Sequence, residues 1–242
     1  MKRRGIFEST ILNKSFLALK LNMLLLYTLT AEANYLVETS KNLRSSNSAW
    51  QVEFEEDFSA YDLGAEPENL FFLDGAYSVT ENSNQKVLTL PGNPVGDFGF
   101  LFGPRVREKT LELQFIFKSD KKGRRYPSIA AGIGGMRGFR FRLNPAAKKI
   151  LLHADDLLLG DLPFMWKPNE WWCIRFRAKP ISEEKSEVKL KVWACIEDEP
   201  VKWFFSEVTD FGFKGGKCVI WGYPYSGTEI LFDNLIILSR SM

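Results

Sequence analysis

From Leu111 onward the chain alternates. Leu111, Leu113, Phe115 and Phe117 occupy every second position, the spacing that puts all four side chains on one side of a β-strand. The period returns in Phe139, Phe141 and Leu143, which alternate with Arg140 and Arg142. It returns again in Trp172, Ile174, Phe176 and Ala178, set against Trp171, Cys173, Arg175 and Arg177. After a loop from Pro180 to Ser186, Val188, Leu190, Val192, Ala194 and Ile196 oppose Lys189, Lys191, Trp193 and Cys195. Each run predicts a strand with one buried face and one face at least partly in water.

Shorter runs complete the pattern. Val52–Phe54, Phe98–Phe102, Ser128–Ile133 and Ile150–His153 read as strands, and Tyr77–Val79 with Val87–Leu90 as a hairpin around Asn82-Ser83-Asn84. Residues 60–74 carry turn residues and no helical period. Residues 155–161 contain three consecutive leucines, consistent with one helical turn or with a loop. Trp221 and Gly222 then lead through a turn at Pro224, Ser226 and Gly227 into a closing strand from Glu229 to Leu238. No stretch supplies the crossover helices that a parallel sheet requires. A two-layer antiparallel sandwich, all-β, is the economical way to bury so many half-apolar strands. One such domain is expected over residues 50–240.

The N-terminus differs in kind. A basic start is followed by the apolar run Leu21–Leu29 and the small-x-small sequence Ala31-Glu32-Ala33, the layout of a signal peptide. The run is too short to span a bilayer. Residues 1–33 are therefore expected to be a signal peptide and 34–49 a polar linker. A secreted or periplasmic location follows, with no membrane span in the mature chain. The whole chain has 32 basic and 30 acidic residues; the first 33 hold five and two of them, so the remainder has 27 and 28, a net of −1. Nothing in that balance attracts nucleic acid. With 3 Cys and 1 His, a disulfide-dense scaffold and a Cys/His zinc cluster are both excluded.

Four segments resemble the concanavalin A-like jelly rolls, in particular their laminin-G-like and 3-keto-disaccharide-hydrolase-like members. They are Phe54-Glu55-Glu56-Asp57-Phe58, then Gly75-Ala76-Tyr77-Ser78-Val79 with Val87-Leu88, then Lys191-Val192-Trp193 with Glu199-Pro200 and Trp203, and finally Gly216 with Phe232-Asp233-Asn234. The similarity runs from about Trp50 to Leu238. It implies a domain that binds or cleaves glycans, with first and last strands side by side. By the same analogy Asp57 and Asp233 would help to hold a structural calcium ion, whose ligands are hard oxygens. The competing reading makes Asp233-Asn234 the organiser of a turn or bulge.

The residues themselves point to binding more than to catalysis. Glycoside hydrolysis needs two carboxylates about 5 Å apart, or wider with water between. The dense acidic stretches are Glu55-Glu56-Asp57 and Glu197-Asp198-Glu199, and neither has the spacing of a working pair. His153, the single histidine, has a side chain suited to general-base chemistry. Opposite the apolar stripes stand Arg140, Arg142, Arg175, Arg177, Lys189 and Lys191, with Trp171 and Trp193. If their strands adjoin in one sheet, they form a basic face with aromatic platforms for sugar rings and Arg forks for acidic substituents. Trp166 and Tyr223 are candidates for its rim. Cys173 and Cys195 are close to opposite across the hairpin and able to bond, leaving Cys218 alone; three free thiols is the preferred reading. The expected function is a non-catalytic module of an exported protein that binds polysaccharide or a glycosylated surface. The alternatives are a glycoside hydrolase-like enzyme acting on 3-keto or related oligosaccharides, and a structural or adhesive protein-binding domain.

Overall fold

The computed structural model describes residues 49–92, 96 and 98–241; the expected signal peptide and nearly all of the expected linker lie outside them. The described residues of 49–82 and 86–241 belong to one compact unit. In chain order its strands are β1 (Gln51–Glu56), β2 (Leu70–Asp74), β3 (Ser78–Asn82), β4 (Gln85–Leu90), β5 (Phe98–Val106), β6 (Thr110–Ser119), β7 (Ser128–Ile133) and β8 (Phe139–Asn144). They continue as β9 (Lys149–Ala154), β10 (Leu157–Pro163), β11 (Trp171–Pro180), β12 (Ser186–Ala194), β13 (Phe205–Thr209), β14 (Gly216–Tyr223) and β15 (Ile230–Arg240). Among the described residues there is no helix, so none crosses a membrane.

The strands make two sheets. One runs β13-β12-β11-β6-β15-β4-β3, with β1 also on β15, and the other runs β10-β9-β8-β7-β14-β5-β2. Every pairing with a resolved register is antiparallel. The alternation explains the layering. Leu111, Leu113, Phe115 and Phe117 of β6 turn inward with Ile174 and Phe176 of β11, to meet Phe139 and Phe141 of β8 and Phe100 and Phe102 of β5. Phe141 and Phe176, one from each sheet, touch edge to face with centroids 5.2 Å apart. Burying a side chain of this size contributes about 1.5–3 kcal/mol, so the aromatic seam is what joins the layers.

β15 exchanges neighbours midway. Ile230–Phe232 pair with β4, whereas Leu235–Ser239 pair with β1. Between them the register with β6 shifts from Asp233 to Ile236, Asn234 adopts φ 52°, and its N–H is accepted by Asp233 Oδ1 at 2.7 Å. The left-handed conformation suits Asn. The Phe-Asp-Asn segment is thus a β-bulge that lets one long strand serve two partners.

Four readings change. The leucine-rich stretch after Asp156 is neither helical turn nor loop but strand β10, paired along β9. Ile196 leaves the apolar stripe because β12 ends at Ala194 and Glu197 N–H turns back to the Ala194 carbonyl; its side chain is 79% exposed. Trp166 belongs to the core, not to a rim. Cys173 and Cys195 are bonded, overturning the preference for three free thiols. The Cys173↔Trp193 register places Cys195 two positions farther along, on the same face, with Cα atoms 5.1 Å apart. That separation lies within the usual disulfide range. Cys218 stays free and buried.

Candidate functional site

The expected basic face is divided between the two layers. Arg175, Arg177, Lys189, Lys191, Trp171 and Trp193 lie on β11 and β12 of the eight-stranded sheet, whereas Arg140 and Arg142 lie on β8 of the seven-stranded sheet. Since each set points away from the shared core, the two cannot converge on one ligand.

On the eight-stranded sheet the cations are occupied. Glu112 of β6 points outward, accepting from Arg175 Nη1 at 2.7 Å through Oε1 and from Arg177 Nε at 2.6 Å through Oε2. Glu199, in the β12–β13 connection, accepts from Arg175 Nη2 at 2.8 Å and from Lys191 Nζ at 2.6 Å. Lys189 pairs with Glu187 at 2.8 Å. The Arg177 guanidinium lies 4.9 Å from the Trp50 ring and 4.8 Å from the Trp203 ring, and Lys191 Nζ lies 4.9 Å from Trp203. Cation–π stacking and shared carboxylates together fix this layer. Trp171 and Trp193 are 8% and 7% exposed, which leaves no platform for a sugar ring. The Glu-Pro…Trp segment therefore closes the connection over the sheet.

The outer face of the seven-stranded sheet is different. Cys218 and Ile220 of β14 face the core, so Val219, Trp221 and Tyr223 face out. Arg140 registers with Gly132 on one side and His153 on the other; Arg142 registers with Ala130 and Leu151. Small residues floor this face. A Cβ at Gly99 would lie 2.6 Å from Trp221 Cδ1, so the indole rests over that glycine. Arg142 lies 4.0 Å from the Tyr223 ring centroid and Arg140 5.8 Å from that of Trp221. Neither arginine has an ion-pair partner among the described residues, and Arg142 Nε and His153 Nδ1 are buried without a hydrogen bond. A buried donor or acceptor left unpaired costs about 1–3 kcal/mol; Arg175 Nε on the other sheet is unpaired in the same way. Burial, and secondarily the Arg140 charge, lowers the His153 pKa, so its imidazole is neutral at neutral pH. Tyr223 was readable as a rim residue; Trp221 was not singled out, although its alternation with Ile220 and Gly222 carried the signal.

At one end of this sheet is a cleft of about 1070 Å³. Arg105 and Arg107 reach it from the end of β5, Lys214 and Lys217 from the segment into β14, and Gly134 and Gly135 from the end of β7. Their loops meet closely. Gly134 and Gly135 N–H both donate to the Lys217 carbonyl, at 3.1 and 2.8 Å. Gly215 has φ 79° and room for no Cβ, which would lie 2.1 Å from the Val106 carbonyl oxygen. No motif in the sequence announced this cleft, because its residues come from four distant loops.

The two proposed calcium ligands accept hydrogen bonds from their own segments. Asp57 Oδ1 accepts from Ser59 N–H at 3.0 Å and Ser59 Oγ–H at 2.6 Å, while Asp233 serves its own bulge. Among the described residues no three His, Cys, Asp or Glu side chains converge. Calcium takes about six to eight oxygens, so a site built on Asp57 and Asp233 would need backbone carbonyls or water to complete it. Burial first, then the charges of Asp57 and Glu56, hold the Asp233 pKa well above the usual carboxylate value, against the favourable Asn234 N–H. The acidic stretches have structural uses as well: Glu56 accepts from Phe58 N–H and Asn69 Nδ2–H, and Glu199 from the cations above.

No protein-family model and no curated relative matches the chain. Solved structures do. The Emp47p carbohydrate recognition domain superposes with a TM-score of 0.57 at 8% identity, covering 82% of this chain and 100% of that one. The marine PL-14 alginate lyase from Aplysia kurodai gives 0.57 at 11%, covering 78% and 100%. The VIP36 exoplasmic/lumenal domain in a Ca2+/Man-bound form gives 0.50 at 10%, covering 77% and 91%. With two antiparallel layers, adjacent first and last strands and this superposition, the chain has the concanavalin A-like jelly-roll fold.

Proposed function

We propose that this domain is a non-catalytic glycan-binding module of an exported protein, and that the saccharide lies on the outer face of the seven-stranded sheet. The observation that carries the reading is Arg142, over the Tyr223 ring at 4.0 Å with Nε unsatisfied, on the same face as His153 of the neighbouring strand β9, whose Nδ1 is also unsatisfied. A flat aromatic ring with fixed donors around it suits a sugar, whose faces are apolar and whose rim is hydroxylated. The recognition domain of Emp47p and the mannose-bound form of VIP36 share the fold, which supports the same ligand class. A cross-strand disulfide fits an oxidising compartment, secreted or periplasmic. Arg140 and Arg142 keep their proposed role; Arg175, Arg177, Lys189, Lys191, Trp171 and Trp193 are given a structural one. The partner is a polysaccharide or a glycosylated surface.

The test is retention of the full-length chain on immobilised polysaccharides, with Arg142→Ala and Tyr223→Ala beside the control Lys202→Ala. Loss of about 1.4 kcal/mol of binding, tenfold in affinity, is expected for the first two with unchanged melting. Equal retention in all three would remove the face from consideration. Release of products from oligosaccharides, 3-keto forms included, would favour the enzymatic alternative instead.

A further inference from the structure

We infer that the cleft at the end of the seven-stranded sheet takes an anionic substituent, carboxylate or sulfate, of the bound saccharide. This rests on the glycan reading and names the class of glycan. The cleft is lined by Arg105, Arg107, Lys214 and Lys217 against Glu108 and Glu183, four positive charges and two negative, a net of +2. None of these four side chains has an ion pair or hydrogen bond among the described residues. The contrast with the other sheet is chemical. There Arg175, Arg177, Lys189 and Lys191 are each matched by a carboxylate, whereas here the balancing charge has to come from outside.

Geometry favours a carbohydrate over a compact ion. A volume of about 1070 Å³ is at the upper end of small-ligand sites, about 300–1,000 Å³, and exceeds what one sulfate fills. Glycines at 134, 135, 215 and 216 remove side chains where the loops meet, so the walls are backbone and the charges stand at the margin. At Gly135 a Cβ would meet nothing within 4 Å, so this part of the lining opens to solvent. Met136 and Ile181 are exposed and give the cleft an apolar lip. The cleft is also on the sheet that carries the proposed sugar-binding face. Leu101, which lines it, packs against Val219 and Trp221 of β14, the strand that carries Tyr223. A saccharide chain lying on Tyr223 and following the direction of β14 toward Lys217 thus runs toward the basic margin, where Arg forks and lysine ammonium groups neutralise its acidic substituents.

The experiment uses the full-length chain and four probes of matched length: a neutral hexasaccharide, a polyuronate hexasaccharide, a sulfated hexasaccharide and a single-stranded oligonucleotide. Binding is read by calorimetry at two salt concentrations for the native chain and for the triple variant Arg105→Ala/Lys214→Ala/Lys217→Ala. Gly123→Ala, at a distant turn, is the control. The expected result is that at least one acidic saccharide binds about tenfold or more tightly than the neutral one. The advantage weakens with salt and disappears in the triple variant, with melting and neutral-sugar binding unchanged. An advantage that survives in the triple variant, or no advantage at all beside measurable neutral binding, overturns the cleft while leaving the glycan reading intact. Tighter binding of the oligonucleotide than of either acidic saccharide also overturns it. Failure of every saccharide to bind overturns both.

Discussion

Arg175 Nη1 and Glu112 Oε1 meet at 2.7 Å on the outer side of their sheet, yet Glu112 is only 1% exposed. An outward position has become an interior one, because the β12–β13 connection brings Glu199 and Trp203 down over it. Removing Glu112 would strand two guanidinium groups in a partly desolvated site. Breaking a buried pair from one side costs about 3–5 kcal/mol. Glu112→Ala is therefore expected to lower stability by that amount in urea unfolding. A change below about 1 kcal/mol, the value of an exposed pair, would show that the network is solvated and the residues are available to ligands.

The Cys173–Cys195 bond closes a loop with a sequence separation of 22. Restricting an unfolded loop of that length stabilises the fold by about 3 kcal/mol in the chain-entropy treatment. The double variant Cys173→Ser/Cys195→Ser should melt lower than the oxidised native chain and match the native chain kept in reductant. Burial pushes the Cys218 thiol pKa up, which keeps it protonated and unreactive. Alkylation followed by mass spectrometry should find one modified cysteine, and only after unfolding without reductant. Rapid modification of the folded chain would place a thiol at the surface.

How far the sequence spoke depends on which physical force wrote the pattern. Alternation marks a strand because one face is buried, so β6, β8, β11 and β12 were legible with their inward sides correct. β10 was not: it is an edge strand with exposed Leu157 and Leu158, so it lacks the apolar-polar rhythm. The same limit explains the site. Alternation places Arg142 and Arg175 equally outward, but says nothing about which sheet each strand joins. Only long-range pairing separates β8 from β11, and only the fold-back of Trp203 distinguishes a covered arginine from an open one. The cleft lay beyond sequence reading for a related reason, since turns far apart in the chain build it.

Asp233 and His153 should give opposite pH signatures. A carboxyl whose folded pKa is raised binds its proton more tightly in the native state. Its stabilising effect is complete below the unfolded pKa, about 3.9, and is lost as pH rises through the higher folded value. Asp233→Asn keeps an acceptor for the Asn234 N–H and abolishes that loss, so it should melt higher than the native chain at pH 7. Each kcal/mol gained corresponds to about 2–4 °C in a domain of this size. For His153, whose pKa is lowered, stability is present above its unfolded value, about 6.5, and declines as pH falls through the folded one. His153→Gln should flatten that decline. If Asp233→Asn instead melts lower, and a chelator also lowers melting of the native chain, the carboxylate works ionised as a calcium ligand.

Gly99 tests whether the buried Trp221 ring positions Arg140 for a glycan. The indole rests against Gly99, and an added Cβ would come within 2.6 Å of Trp221 Cδ1 and 3.2 Å of the Ile220 carbonyl oxygen. The ring is the only party able to move, since the carbonyl belongs to the β14 ladder with β5. Crowding of this kind costs about 1–3 kcal/mol, so Gly99→Ala should lower melting moderately and shift the tryptophan emission. Displacing the indole also disturbs Arg140, 5.8 Å from its centroid. Polysaccharide retention is therefore expected to fall more than the loss of folded fraction explains. Gly123→Ala provides the comparison: it has the strained φ of 62° but open space around it, so it should cost stability and leave retention unchanged. Retention that follows folded fraction alone in both variants would mean that the Trp221 position is immaterial to binding.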